Sequence, residues 1–88
     1  MNITKSLLNS QITHLNIITG NPTSTFIKLN NGELKAQVGC YHVCSNAGCY
    51  RLARIDNDKG GATPISNSMK LRDLYYFVTG MVTALRKN

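Results

Sequence analysis

Residues 39–50 read GCYHVCSNAGCY and hold every cysteine of the 88-residue chain, three in number, together with one of its two histidines. Thiolates and imidazole are the ligands of small zinc modules, so this stretch is where metal chemistry would be sought. The spacing argues against it. If the segment is extended, Cys40, His42 and Cys44 share one face, but each step of two residues advances ~6.6 Å, which sets Cys40 and Cys44 ~13 Å apart. A single ion held at ~2.0–2.3 Å from its ligands cannot bridge that distance. The paired C-x2-C knuckle that usually brings sulfurs together is missing, since the pattern is C-x3-C-x4-C. Cys44 and Cys49 bracket the SNAG turn, residues 45–48, and supply two ligands, or three if a kink turns His42 inward; no fourth is evident. The expectation is no metal and no other cofactor. The cysteines then fill strand positions as small apolar residues, with a redox-sensitive Cys44/Cys49 pair as the alternative use.

Covalent catalysis is no better provided for. A Cys40/His42 nucleophile pair has no acid nearby in sequence to orient the imidazole. The chain carries only four carboxylates, Glu33, Asp56, Asp58 and Asp73. Glu33 flanks a turn, and Asp56 with Asp58 sits in the loop DNDKGG, where acidic residues serve local backbone geometry. Gly60 and Gly61 lack the strand, glycine-rich loop and lysine of a phosphate cradle. The expectation is a protein that is not an enzyme.

The elements that would position these residues follow from periodicity. Ile3, Leu7, Leu8, Ile12, Leu15 and Ile18 fall on one side of a helical projection, with Ser6, Asn9, Thr13, Asn16 and Ile17 on the other. This first helix stops at TGNP, because Pro22 cannot continue it. In TFIKLNNGELKAQV, Asn31-Gly32 between two alternating runs predicts a hairpin with a two-residue type I′ turn. Alternation then continues from Leu34 to Val43 as one strand. CYRLARID forms a further strand, and ATPIS an edge-like one, since Pro64 is excluded from a sheet centre. Ser66, Asn67 or Ser68 can cap the final helix. Its apolar stripe is Leu71, Leu74, Tyr75, Val78, Met81, Val82 and Leu85, and Arg86 and Lys87 in its last turn complement the macrodipole. Two amphipathic stripes need one common apolar surface. The predicted fold is therefore α+β: a three- or four-stranded antiparallel sheet, both terminal helices packed on one face, the other face open, all within a single domain spanning residues 1–88.

Composition sets the class of partner. Apolar residues make up 42% of the chain and charged residues 16%, so it has the means to bury a core. Ten Lys plus Arg against four Asp plus Glu give a net charge of +6. Such an excess favours nucleic acid, an anionic surface or an acidic protein face. No window approaches the ~20 apolar residues of a membrane span, and the opening segment lacks the apolar run of a signal peptide. The expectation is a cytoplasmic protein with no membrane partner and reduced thiols.

Two surfaces exceed what a folded monomer needs. On the final helix Tyr76 points away from the core stripe, and Phe77, Gly80 and Ala84 form a flank with small residues four apart. That flank serves as an interface, including a homodimer contact about a twofold axis, or packs against the first helix within the monomer. On the third strand Arg51 and Arg54 lie on opposite faces beside Tyr50, with Lys70 and Arg72 entering the final helix. Basic residues beside an aromatic suit single-stranded nucleic acid, where bases stack and phosphates pair.

The segments GCYHVCSNAGCYRLARI and GGATPISNSMKLRDLYYFVTGM resemble small phage- and prophage-encoded accessory proteins. The likeness consists of a Gly-x-Tyr-His strand, an aromatic-Arg-Leu strand, a Gly-Gly turn and a helix opening with basic, Leu and Tyr residues, over roughly the last 50 residues. It implies an accessory gene product acting in the host cytoplasm on host machinery, a class rich in inhibitors of defence systems that work by binding alone. The expected function is thus a non-enzymatic module that inhibits or redirects a host protein or nucleoprotein complex by occupying a surface, with Arg51, Arg54, Tyr76 and Phe77 as anchors. The alternative is a basic domain for single-stranded nucleic acid that uses Tyr50, Arg51, Arg54, Lys70 and Arg72.

Overall fold

A computed structural model describes residues 2–86, so Lys87 of the expected last turn lies outside the described residues. Helix α1 spans Lys5–Thr19, with Thr4 as its N-cap: the Thr4 Oγ1 accepts the Leu7 N–H at 3.2 Å. It buries Leu8, Ile12, Leu15 and Asn16 and leaves Ile17 61% exposed. Asn16 was expected on the polar side; instead it is only 1% exposed. Its burial is stabilised by a specific backbone partner described below.

Strand β1 (Phe26–Lys28) pairs antiparallel with β2 (Leu34–Ala36) in a separate two-stranded sheet. The hairpin forms where expected, but its turn is longer than the type I′ reading. The Leu29 N–H bonds the Glu33 carbonyl at 2.7 Å and the Gly32 N–H the Leu29 carbonyl at 2.9 Å, with Gly32 alone at positive φ, 87°. Asn30 therefore joins Asn31 in the turn, and Gly32 occupies the left-handed position that follows it. The two-residue turn with both φ values positive lies elsewhere, at Ala47-Gly48 (52° and 80°).

The single strand expected from Leu34 to Val43 is broken in two. Gly39, at φ 96°, closes a turn in which the Cys40 N–H bonds the Gln37 carbonyl at 3.2 Å, and the chain resumes as β3 (Tyr41–Asn46) in a second sheet. A side chain at Gly39 would meet the Asn21 amide as well as the backbone penalty of positive φ. β3 pairs antiparallel with β4 (Cys49–Ile55), and β4 with β5 (Ala62–Pro64), in the order β3-β4-β5. Pro64 sits on the edge strand, where its missing N–H costs no ladder bond.

After β5 the chain keeps tracking β4. Ile65 and Ser66 donate their N–H groups to the Leu52 carbonyl, the Ser66 Oγ accepts the Leu52 N–H at 2.9 Å, and Tyr50 and Met69 exchange both backbone bonds at 2.7 and 2.8 Å. None of the expected caps operates on helix α2 (Leu71–Arg86): the Leu74 N–H bonds the Lys70 carbonyl at 3.0 Å at its start, and Ser66 is already engaged by Leu52.

Both helices pack on one face of the three-stranded sheet, as the paired apolar stripes require. Leu8, Ile12 and Leu15 of α1 meet Leu74, Tyr75, Val78 and Val82 of α2 over Leu52, with Tyr41, Val43 and Tyr50 at the margin. The opposite face is not wholly open. At one end Ile55 is covered by Ala36 and Cys40, all at most 2% exposed. Among the described residues no helix is long and apolar enough to cross a membrane.

Candidate partner-binding surfaces

The three cysteines take different environments, Cys40 buried, Cys44 half-buried and Cys49 exposed. Cys40 is buried against Ala36 and Ile55, and its thiol lies 3.7 Å from the Asn16 amide nitrogen. Burial pushes this thiol above its ordinary pKa, against a smaller opposing effect of the Asn16 hydrogen bond. His42 and Cys44 do come together on the sheet face away from the helices, the Cys44 Sγ standing 3.8 Å from the His42 Nδ1. The His42 Nε2 is shielded from solvent and has no partner among the described residues. Cys44 faces Arg51 and Cys49 faces Asn46 across β3 and β4, so the two thiols are diagonal neighbours and both are free. Among the described residues no three His, Cys, Asp or Glu side chains gather as a metal site.

These environments set an order of reactivity. In native protein near pH 8, iodoacetamide should modify exposed Cys49 first, Cys44 next and Cys40 only after unfolding, because the thiolate reacts and burial disfavours it. Because the folded state holds the Cys40 proton more tightly than the unfolded chain, its contribution to stability is complete below the ordinary thiol range and is lost as pH rises through and beyond it. Mass spectrometry of timed digests checks the order; early labelling of Cys40 would contradict the packing around Ile55.

The α2 flank is exposed rather than used against α1. Tyr76 is 51% and Phe77 39% exposed, and a Cβ placed at Gly80 would meet nothing within 4 Å. The Arg72 guanidinium lies over the Tyr76 ring at 5.8 Å, and Tyr75 braces the same ring edge-on with centroids 5.5 Å apart. Arg72, Tyr76 and Gly80 recur every four residues and so stack along one helix face. The result is an ordered aromatic and cationic strip with open space beside it.

The sheet residues do not converge in this way. Arg51 is exposed on the face away from the helices, opposite Cys44. Arg54 lies on the other face, its guanidinium 5.9 Å from the Tyr41 ring centre and its Nε donating to the Gly39 carbonyl at 3.4 Å. Tyr50 packs at the margin of the main core and is overlaid by Lys5 at 5.7 Å. The structure thus brings Tyr50 to Lys5 and Arg72 to Tyr76, and separates both from Arg51. Lys70 is exposed immediately before α2.

Sequence reasoning missed the role of Asn16. Its Oδ1 accepts the Tyr41 N–H at 2.8 Å and its Nδ2 donates to the Tyr41 carbonyl at 3.1 Å, so one side-chain amide satisfies both backbone groups of the first β3 residue. The available signal was its place four residues after Ile12, on the buried side of α1. Comparison with protein-family models, with curated proteins and with solved structures finds no match for this chain.

Proposed function

We propose that the protein is a non-enzymatic binding module, a phage-type accessory protein that inhibits or redirects a host protein or nucleoprotein complex in the host cytoplasm by occupying a surface. The observation that carries this reading is the α2 strip, where Tyr76 and Phe77 are exposed, Arg72 lies over the Tyr76 ring and Gly80 leaves room for an approaching surface. Aromatic and Arg side chains carry most interface energy once fully desolvated. Tyr76 and Phe77 are the primary anchors, with Arg72 beside them. Arg51 and Arg54 lie on different faces of the sheet, so a partner seated on α2 does not need both.

The nucleic-acid alternative keeps its charge, +6 overall, but has weaker geometric support. A stacking platform needs an aromatic ring beside basic residues on one accessible face. Tyr50 is instead turned toward the core and Arg51 away from it.

The test is affinity capture from nuclease-treated bacterial lysate with wild type and a Tyr76→Ala/Phe77→Ala variant. Both residues are exposed, so circular dichroism of the variant should match wild type. Each truncation should cost about 2 kcal/mol of binding if it removes an anchor, which eliminates retention of the partner. Retention of no host protein by wild type, or equal retention by both, would refute the reading. Sedimentation of the protein alone separates a homodimer through Gly80 and Ala84 from a monomer that binds another chain.

A further inference from the structure

The outer edge of β3 is sealed at one residue and open at the next two of the same orientation. Val43 faces Leu52 and Ser45 faces Tyr50 across the β3–β4 pair. Leu52 spends its N–H on Ser66 and its carbonyl on Ile65 and Ser66, and Tyr50 spends both groups on Met69, all on the side away from β3. Directly opposed residues of this kind form non-hydrogen-bonded pairs, whose backbone groups point away from each other. The N–H and carbonyl of Val43 and Ser45 therefore point outward, as those of Tyr41 do. At Tyr41 the Asn16 amide takes both positions and stands in for a neighbouring strand. Beyond it the edge is unpaired among the described residues, and a cleft of about 480 Å³ lies beside Val43 between α1 and Phe26, with a second of about 180 Å³ beside Ser45. The other sheet edge, β5, is short and blunted by Pro64.

We propose that the β3 edge binds an extended, acid-bearing peptide segment, which adds as a strand on Val43 and Ser45 next to the Asn16 amide. Strand addition takes its affinity from main-chain hydrogen bonds and its selectivity from the side-chain pockets alongside. Charge selects the occupant. Among the described residues Lys5 is the only Lys or Arg lining the two clefts and no carboxylate lines either, and the chain carries +6 overall. A carboxylate on the added strand near Ser45 meets Lys5 at the rim, whereas a second copy of this chain would bring +6 against +6. The site is independent of the α2 strip and holds whether or not that strip engages a host protein.

The probe is a soluble fluorescent octapeptide alternating valine with threonine and aspartate, compared with its lysine-for-aspartate counterpart and its fully N-methylated form. Fluorescence anisotropy reads affinity, and amide hydrogen exchange of the wild-type protein reads position. The acidic peptide should bind and slow exchange at Val43 and Ser45 at least tenfold, the lysine peptide should bind at least tenfold more weakly, and the N-methylated one should not bind. Lys5→Glu, an exposed change that leaves the core untouched, should weaken the acidic peptide about fivefold. No binding at millimolar peptide, or binding that leaves exchange at Val43 and Ser45 unchanged, would overturn the proposal. Slowing of these two amides by raising protein concentration alone would also overturn it, since a second copy would then be the occupant.

Discussion

Asn16→Leu should lower the stability of the protein by about 1–3 kcal/mol, because it strands the half-buried Tyr41 N–H and carbonyl at the point where α1 meets the sheet, and an orphaned group costs about 1–3 kcal/mol when fully buried and less where water reaches it. For a domain of this length the melting temperature moves by about 4–8 °C per kcal/mol, so the loss reads as a shift of tens of degrees at its upper end. Leucine keeps the branched outline and the number of side-chain heavy atoms of asparagine while replacing both polar atoms with methyl groups. Asn16→Asp retains an acceptor for the Tyr41 N–H, loses the donor to the carbonyl and introduces a charge at a site 1% exposed, so at neutral pH it should be at least as damaging. Thermal melts followed by circular dichroism decide the matter. A change below about 0.5 kcal/mol for the leucine variant would mean that the amide does not seal the β3 edge.

Leu52→Ala should cost about 3–4 kcal/mol. Leu52 is fully buried at the centre of β4, beneath the helix residues of the main core, and truncation of such a leucine removes transfer free energy and leaves a cavity that rigid neighbours cannot refill. The urea midpoint should fall with an unchanged slope, as for a loss of packing without a change in the surface exposed on unfolding. Leu34→Ala is the control: Leu34 is 68% exposed, and its loss should stay within about 0.5 kcal/mol. Equal effects at the two positions would contradict the packing of both helices over β4.

The helices were legible in the sequence because their apolar stripes are long and unbroken, and β4 because CYRLARI sits between two turn-forming segments. The broken strand was not. Side-chain alternation from Leu34 to Val43 has the same period whether the chain runs straight or turns at Gly39, and only the left-handed φ of that glycine distinguishes the two. The caps failed for a related reason. Ser66 has the chemistry of an N-cap, but the Leu52 N–H of a strand distant in sequence claims its hydroxyl first. Asn16 was misplaced because its amide assigned it to the polar face, although its spacing from Ile12 fits the buried one. At the candidate surfaces, the exposure of Tyr76 was readable from helical phase, whereas Phe77 lies on the flank of the apolar stripe, where phase alone left packing against α1 open. The open backbone groups of Val43 and Ser45 were not, since they depend on which partners Tyr50 and Leu52 find on their far side.

The proposed mode of action is contact through the aromatic strip of α2. The most direct measurement is amide chemical-shift mapping of the labelled protein during titration with the captured host partner. If that strip is the contact, the largest perturbations fall at Tyr76, Phe77 and Gly80, and the Tyr76→Ala/Phe77→Ala variant is unresponsive at the same partner concentration. Perturbations that leave α2 unchanged and concentrate around Arg51 and Cys44 on the far sheet face would contradict it.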